Sequence, residues 1–150
     1  MVLLLFVCTS NTCRSPMAEA LAKRWLRKHP APGLRVGSVA LSDEFEPPNS
    51  PASAYGVAAM QRRGVDLHLH RSRLVNRELI ESADVVYCVT ARHERMLRAL
   101  FPTLRATVRV FPSDIADPWH QDASVYEACA AQIEAAIDDL MPHIVRDFVS

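Results

Sequence analysis

The sequence predicts an α/β fold in a single domain of 150 residues, a four-stranded parallel sheet with helices on both faces. Three observations lead there. Four β-rich runs, at residues 2–7, 34–39, 84–89 and 107–110, are separated by segments of helical period. The first and third are continuous apolar runs, as strands buried on both faces are. At this length a hydrophobic fraction of 49% supplies a sizeable core.

Each element has a local reason. The run 2–7 reads as a central strand, because it is far shorter than a membrane span and no basic segment precedes it as in a secretory signal. In the first helix Ala18, Leu21, Ala22 and Trp25 follow the i, i+3, i+4, i+7 spacing. Pro16 falls in its first turn, where the missing N–H costs nothing, and Glu19 is expected there to suit the helix dipole. A second helix is expected over 51–63, stopped by Gly64, and a short one over 76–83. The next, 91–101, is expected to bury Met96, Leu97 and Leu100. The C-terminal helix carries Cys129, Ile133, Ala136, Leu140 and Ile144 on one stripe, with a kink expected at Pro142. Right-handed crossovers gather the loops at the carboxyl ends of the strands on one side. Stretches 41–53 and 111–123 are irregular, and loops of that length in a compact domain are usually functional.

Lysine plus arginine equals aspartate plus glutamate, 17 of each, so no global field draws the chain to nucleic acid or an anionic membrane. Anion recognition must be local. Four cysteines are too few for a disulfide scaffold and form no Cys-x-x-Cys pair of the kind that binds zinc. A reducing cytoplasm and no bound metal are the expectation.

The local feature is Val7-Cys8-Thr9-Ser10-Asn11-Thr12-Cys13-Arg14-Ser15-Pro16, which joins the first strand to the first helix. Five residues between Cys8 and Arg14 force a tight curl with backbone N–H groups inward, an anion nest reinforced by the positive end of the helix. A thiol in that setting beside a cation reacts as the thiolate, so Cys8 is the expected nucleophile. Arg14 offers a planar fork to two phosphoryl oxygens. Together they suit in-line attack on phosphorus through a thiophosphoryl intermediate, with amides and guanidinium carrying the equatorial charge. Departure of the leaving group then requires an acid. Spacing alone does not choose among Asp114, Asp117 and Asp122, although Asp117, stiffened by Pro118 and next to Trp119 as a pocket wall, is the most plausible.

Plainer readings stand beside these. Cys8 ends an apolar strand and could be a core thiol, but Arg14 and the helix start argue against that. Ser15 suits either the N-cap of the first helix or a hydrogen bond to the thiolate. Cys88 and Cys129 fall on apolar faces and read as core. His70, between His68 and Arg71, reads slightly better as part of a solvated basic turn.

From Val7 to Glu19 the chain strongly resembles the low-molecular-weight protein tyrosine phosphatases, bacterial type. Ser38, the segment Gly64-Val65-Asp66-Leu67 through His70-Arg71-Ser72-Arg73, Glu81-Ser82-Ala83-Asp84 with Thr90, and Asp117-Pro118 extend the likeness over nearly the whole chain. The resemblance implies Cys8 as nucleophile, Arg14 as phosphate clamp and Asp117 as general acid. It further implies Thr9, Ser10, Asn11, Thr12, Cys13 and Ser15 as the phosphate loop, Ser15 as the thiolate's partner and Asn11 as the loop's shaper. Ser38, His70 and Trp119 serve as loop support or pocket wall. No cofactor is implied; the implied substrate is a phosphorylated protein or peptide. Cys13 matches a second loop cysteine that in relatives protects the nucleophile through a reversible disulfide.

Three departures and one alternative qualify the likeness. Ser10 replaces the family's usual glycine, a strain if that position needs a positive φ. The 41–50 loop lacks the tryptophan of many tyrosine-specific relatives and offers Phe45, while His120-Gln121 stands where bacterial relatives often have glycines. Thr12 keeps phosphoarginine open beside the favoured phosphotyrosine, because relatives with threonine there include protein arginine phosphatases. A thioredoxin-coupled arsenate reductase would need further cysteines that the chain lacks, and an inactive phosphate-binding module has only Ser10 in its support.

Overall fold

The computed structural model describes residues 1–149. In chain order the elements are β1 (Val2–Cys8), α1 (Arg14–Lys28), β2 (Leu34–Ala40), α2 (Ala54–Arg62), α3 (Arg77–Ser82), β3 (Val85–Cys88), α4 (Ala91–Leu100), β4 (Thr107–Val110) and α5 (Ala123–Phe148). The sheet is four-stranded and parallel in the order β2-β1-β3-β4. After β1 the chain moves to one side, and it returns to the other for β3. The loops leaving β1 and β3 therefore diverge, and such a topological switch point opens a crevice at the strands' carboxyl ends.

β1 is the hinge of the design. Its side chains alternate between the two faces, as the pleat requires. Leu4, Phe6 and Cys8 join Met17, Leu21, Ile133 and Ile137 in the core shared with α1 and α5. Leu5 and Val7 join Val86, Ile80 and Leu97 on the opposite side. Full burial of each such side chain contributes about 1.5–3 kcal/mol, so the floor of the crevice is stiff. Phe6, Tyr87 and Phe111 pack with centroids 5.7–6.2 Å apart, which fixes the loop after β4 to the middle of the sheet. That loop is further tied to the end of β3, where Phe111 N donates to Cys88 O and Ile115 N to Val89 O.

Several expectations change. α2 begins at Ala54 because Pro51 is held in an isolated bridge to Arg71, and the segment before it stays extended. Leu100 is 49% exposed, and Leu97 alone of the expected trio is fully buried, while Met96 packs against the core from a partly buried position. α5 runs without interruption through Pro142. On its stripe Ile137 is fully buried, whereas Ala136 only packs against the core. Among the described residues no helix is long and apolar enough to cross a membrane.

Candidate active site

Strand β1 ends at Cys8 and α1 begins at Arg14, so the five residues between them must turn within the crevice. Their carbonyls are drawn outward. Leu41 N donates to Cys8 O and Thr9 O, Ser42 N to Thr9 O and Ser53 N to Thr12 O, while His70 Nε2 donates to Asn11 O at 2.7 Å. Across a planar trans peptide the next N–H points the opposite way. The amides of Thr9, Ser10, Thr12 and Cys13 consequently face the concave side, which is the geometry of an anion nest.

Asn11 is the keystone and takes the left-handed conformation at φ 59°. Its Nδ2 donates to Ser15 Oγ (2.8 Å) and Ser38 Oγ (2.9 Å), and its Oδ1 accepts from Arg73 N (3.0 Å). Ser38 in turn donates to Glu19 Oε1 at 2.6 Å. Ser10 is not among the residues with positive φ, so the strain considered for it does not arise; Asn, which tolerates that region, carries it instead.

Cys8, 2% exposed, lies with Sγ 2.9 Å from Ser15 Oγ. Because Ser15 Oγ already accepts from Asn11, its proton is free to go to the sulfur. Ser15 is inside α1 and does not cap it; Cys13 occupies the N-cap. Glu19 likewise lies beyond the first turn and serves Ser38 and Lys23, not the dipole. Cys13 is buried, with Sγ 3.9 Å from Asp117 Oδ1. Burial raises its thiol well above the usual value, and the neighbouring Cys8 and Asp117 raise it further.

Arg14 is buried, and Nη1 donates to Ile115 O at 2.9 Å. Its Nε is buried without a protein partner, and Nη2 lies 3.6 Å from Asp117 Oδ2. The Nε–Nη2 edge is thus the one left for a ligand, the bidentate edge that grips a phosphoryl group.

The three candidate acids separate. Asp122 caps α5 by accepting from Val125 N at 3.1 Å, and Asp114 Oδ1 accepts from Ala91 N at 2.9 Å at the start of α4. Asp117 caps no helix; its carboxylate, 47% exposed, lies beside Arg14 and accepts from Trp119 N at 3.1 Å. Trp119 meets Phe45 edge-on with centroids 5.7 Å apart, forming an aromatic rim. The cleft below it has a volume of about 370 Å³ and takes in Cys8, Thr12, Arg14 and Asp117.

His70 is not a solvated turn residue. Its imidazole is half-buried and holds the loop at Asn11; burial lowers its pKa, against the opposing pull of that carbonyl. Cys88 is buried in the core, as expected. Cys129 is too, although its Sγ also lies 3.9 Å from Ala116 O beneath the Asp117 loop.

Sequence reading overlooked Arg92 and His93 and gave Thr90 no part in the site, yet all three line the same cleft from the loop after β3 and the first turn of α4. The switch point between β1 and β3 was the signal that could have found them. His93 is buried, and desolvation, with Arg14 and Arg92 adding, lowers its pKa from 6.5 to about 4. The unfolded chain therefore binds a proton near pH 6.5 that the folded chain refuses until about pH 4. Stability from this group is complete above pH 6.5 and is lost as pH falls towards 4, on the order of 3 kcal/mol in all. Urea unfolding of the parent and His93→Gln at pH 7 and pH 4.5 checks this. The parent should lose more stability than the variant, and equal losses would contradict it.

A family model described as low molecular weight phosphotyrosine protein phosphatase matches residues 3–150. The chain belongs to that family. It is a phosphatase, a hydrolase of the class to which its named relatives belong. The protein-arginine-phosphatase of Bacillus subtilis is 32% identical, over 96% of this chain and 97% of its own length. That of Geobacillus stearothermophilus is 36% identical, over 91% and 92%. The low-molecular-weight protein-tyrosine-phosphatase Etp of Escherichia coli is 28% identical over 95% of each. Among solved structures, the YwlE arginine phosphatase with a phosphorylated serine in place of its active-site cysteine superposes with a TM-score of 0.89 at 28% identity, covering 98% of both chains. The tyrosine phosphatase of T. tengcongensis gives 0.86 at 27%, covering 95% of this chain and 99% of its own.

Proposed function

We propose that this protein removes phosphoryl groups from proteins through a cysteinyl-phosphate intermediate. The observation that carries the reading is a buried Cys8, hydrogen-bonded by Ser15, at the floor of a nest beside the Arg14 guanidinium, whose Nε has no protein partner. Cys8 Sγ attacks phosphorus in line, forming the S–P bond as the bond to the leaving atom breaks. Asp117, as the carboxylic acid, gives that atom its proton. The nest amides of Thr9, Ser10, Thr12 and Cys13, with Arg14, hold the equatorial oxygens. In the second step the Asp117 carboxylate takes a proton from water, which attacks phosphorus and releases phosphate and the Cys8 thiolate. The phosphorylated serine of the YwlE variant supports transfer to the protein at that position.

The Phe45–Trp119 rim supports phosphotyrosine as substrate, since a phenyl ring fits against an aromatic edge. A specific observation favours a second reading. Thr12, Asp114 and Asp117 line the same cleft, and polar groups of that kind suit the guanidinium of phosphoarginine. Two relatives more than 30% identical bear the name protein-arginine-phosphatase, which adds weight to it.

The deciding measurement is kcat/KM on matched phosphotyrosine and phosphoarginine peptides, for the parent and Thr12→Ile. If the aromatic rim governs, the parent prefers phosphotyrosine and Thr12→Ile changes the ratio little. If Thr12 governs, the parent prefers phosphoarginine and the variant swings the ratio roughly 10- to 100-fold towards phosphotyrosine. Inactivity on both peptides would sink the whole reading.

A further inference from the structure

We propose that His93 is a positioning residue for the phosphate loop, gripping the hydroxyl of Thr9 so that the amide beside Cys8 keeps its aim. The inference rests on the phosphoryl-transfer reading above and adds to it a residue from the far side of the crevice. Nε2 of His93 lies 2.9 Å from Thr9 Oγ1, and Nδ1 lies 2.9 Å from Thr90 Oγ1. Thr90 Oγ1 also accepts from the His93 amide at 3.1 Å, as the N-cap of α4. Both ring nitrogens are thus engaged, and the ring cannot turn without breaking two bonds.

A neutral imidazole satisfies this arrangement in either tautomer, because each threonine hydroxyl can donate or accept. With its proton on Nε2, the ring donates to Thr9 and leaves the Thr9 hydroxyl proton for another acceptor. With its proton on Nδ1, it donates to Thr90 and accepts from Thr9. In both cases the link from α4 to the loop is unbroken.

The placement matters because Thr9 is bonded directly to Cys8. Its carbonyl is fixed from the β2 side by the amides of Leu41 and Ser42, and its hydroxyl from the α4 side by His93. Held at two points in opposite directions, the Thr9 peptide has little freedom to tilt. Near-attack geometry is steep in position, and a displacement of about 1 Å can lower a rate on the order of 100-fold. His93 also lines the cleft, at 2% exposure, a polar ring in a place that an apolar side chain could fill. A purely structural histidine would support the fold without coupling to Thr9.

The test is a double-mutant cycle on para-nitrophenyl phosphate with the parent, Thr9→Val, His93→Leu and the pair, together with His93→Gln, whose amide can still donate to Thr9. Either single change is expected to lower kcat about 10- to 100-fold with KM within about threefold. The pair should be no worse than the poorer single variant, since both remove one contact. His93→Gln should recover most of the lost kcat. If His93→Leu fails to fold, Thr9→Val breaks the same contact from the other end and must show the same loss confined to kcat. Additive losses, an unchanged kcat, or no recovery with glutamine in an active parent would overturn this inference alone. An inactive parent would overturn the phosphatase reading with it.

Discussion

Serine in place of Cys8 is expected to leave the fold and the anion cradle intact while kcat falls roughly 10⁴- to 10⁶-fold. The side chain sits in a site only 2% exposed, and an oxygen for a sulfur is close to a volume-conserving change there. The nest amides are aimed by carbonyl contacts to Leu41, Ser42, Ser53 and His70, none of which involves the sulfur. Phosphate affinity should therefore survive. What is lost is reactivity, because the hydroxyl has no base beside it: Ser15 Oγ accepts from Asn11 and offers only a proton. Steady-state kinetics and isothermal titration with inorganic phosphate separate the two properties. A variant retaining more than about a tenth of the parental kcat would remove Cys8 from the mechanism.

Asp117→Asn has the second-largest expected effect, a fall in kcat of about 10²- to 10⁴-fold on substrates with basic leaving groups. The loss should shrink on para-nitrophenyl phosphate, whose leaving group departs without a proton. That contrast distinguishes an acid from a residue that merely steadies Arg14. The Arg14–Asp117 contact is 3.6 Å long and its carboxylate half-exposed, so breaking it costs little stability. An equal loss on both kinds of substrate, with a raised KM for phosphate esters, would assign Asp117 to the Arg14 clamp.

Much of the fold and the centre of the site were legible because their causes are local. The four strands lie within a residue or two of the runs that predicted them, and Cys8 through Ser15 is contiguous in sequence. Asp117 could not be chosen over Asp114 and Asp122 by spacing, because the choice depends on which helix starts their side chains meet in space. Ser15 suited a cap and a thiolate partner equally in sequence; Cys13 takes the cap, a shift of two residues at a helix boundary, and Ser15 keeps the contact to Cys8. Leu100 had helical spacing but no neighbour to cover it. His70 looked solvated because its partner, Asn11 O, is 59 residues away. His93 carried no local pattern, and only the strand order places it against Thr9.

Asn11 has one further consequence, in time and not in space. Its side chain is bonded to Ser15, Ser38 and Arg73, and its carbonyl to His70, so two distant stretches of chain, β2 and the segment 70–73, meet the start of α1 on one residue. Freezing a loop residue removes on the order of 1–2 kcal/mol of backbone entropy. Here that ordering accompanies the docking of β2 and of the segment before α3, and is completed when the chain folds. Each arriving phosphoryl group meets a cradle already still, and no part of its binding energy goes into quieting the loop.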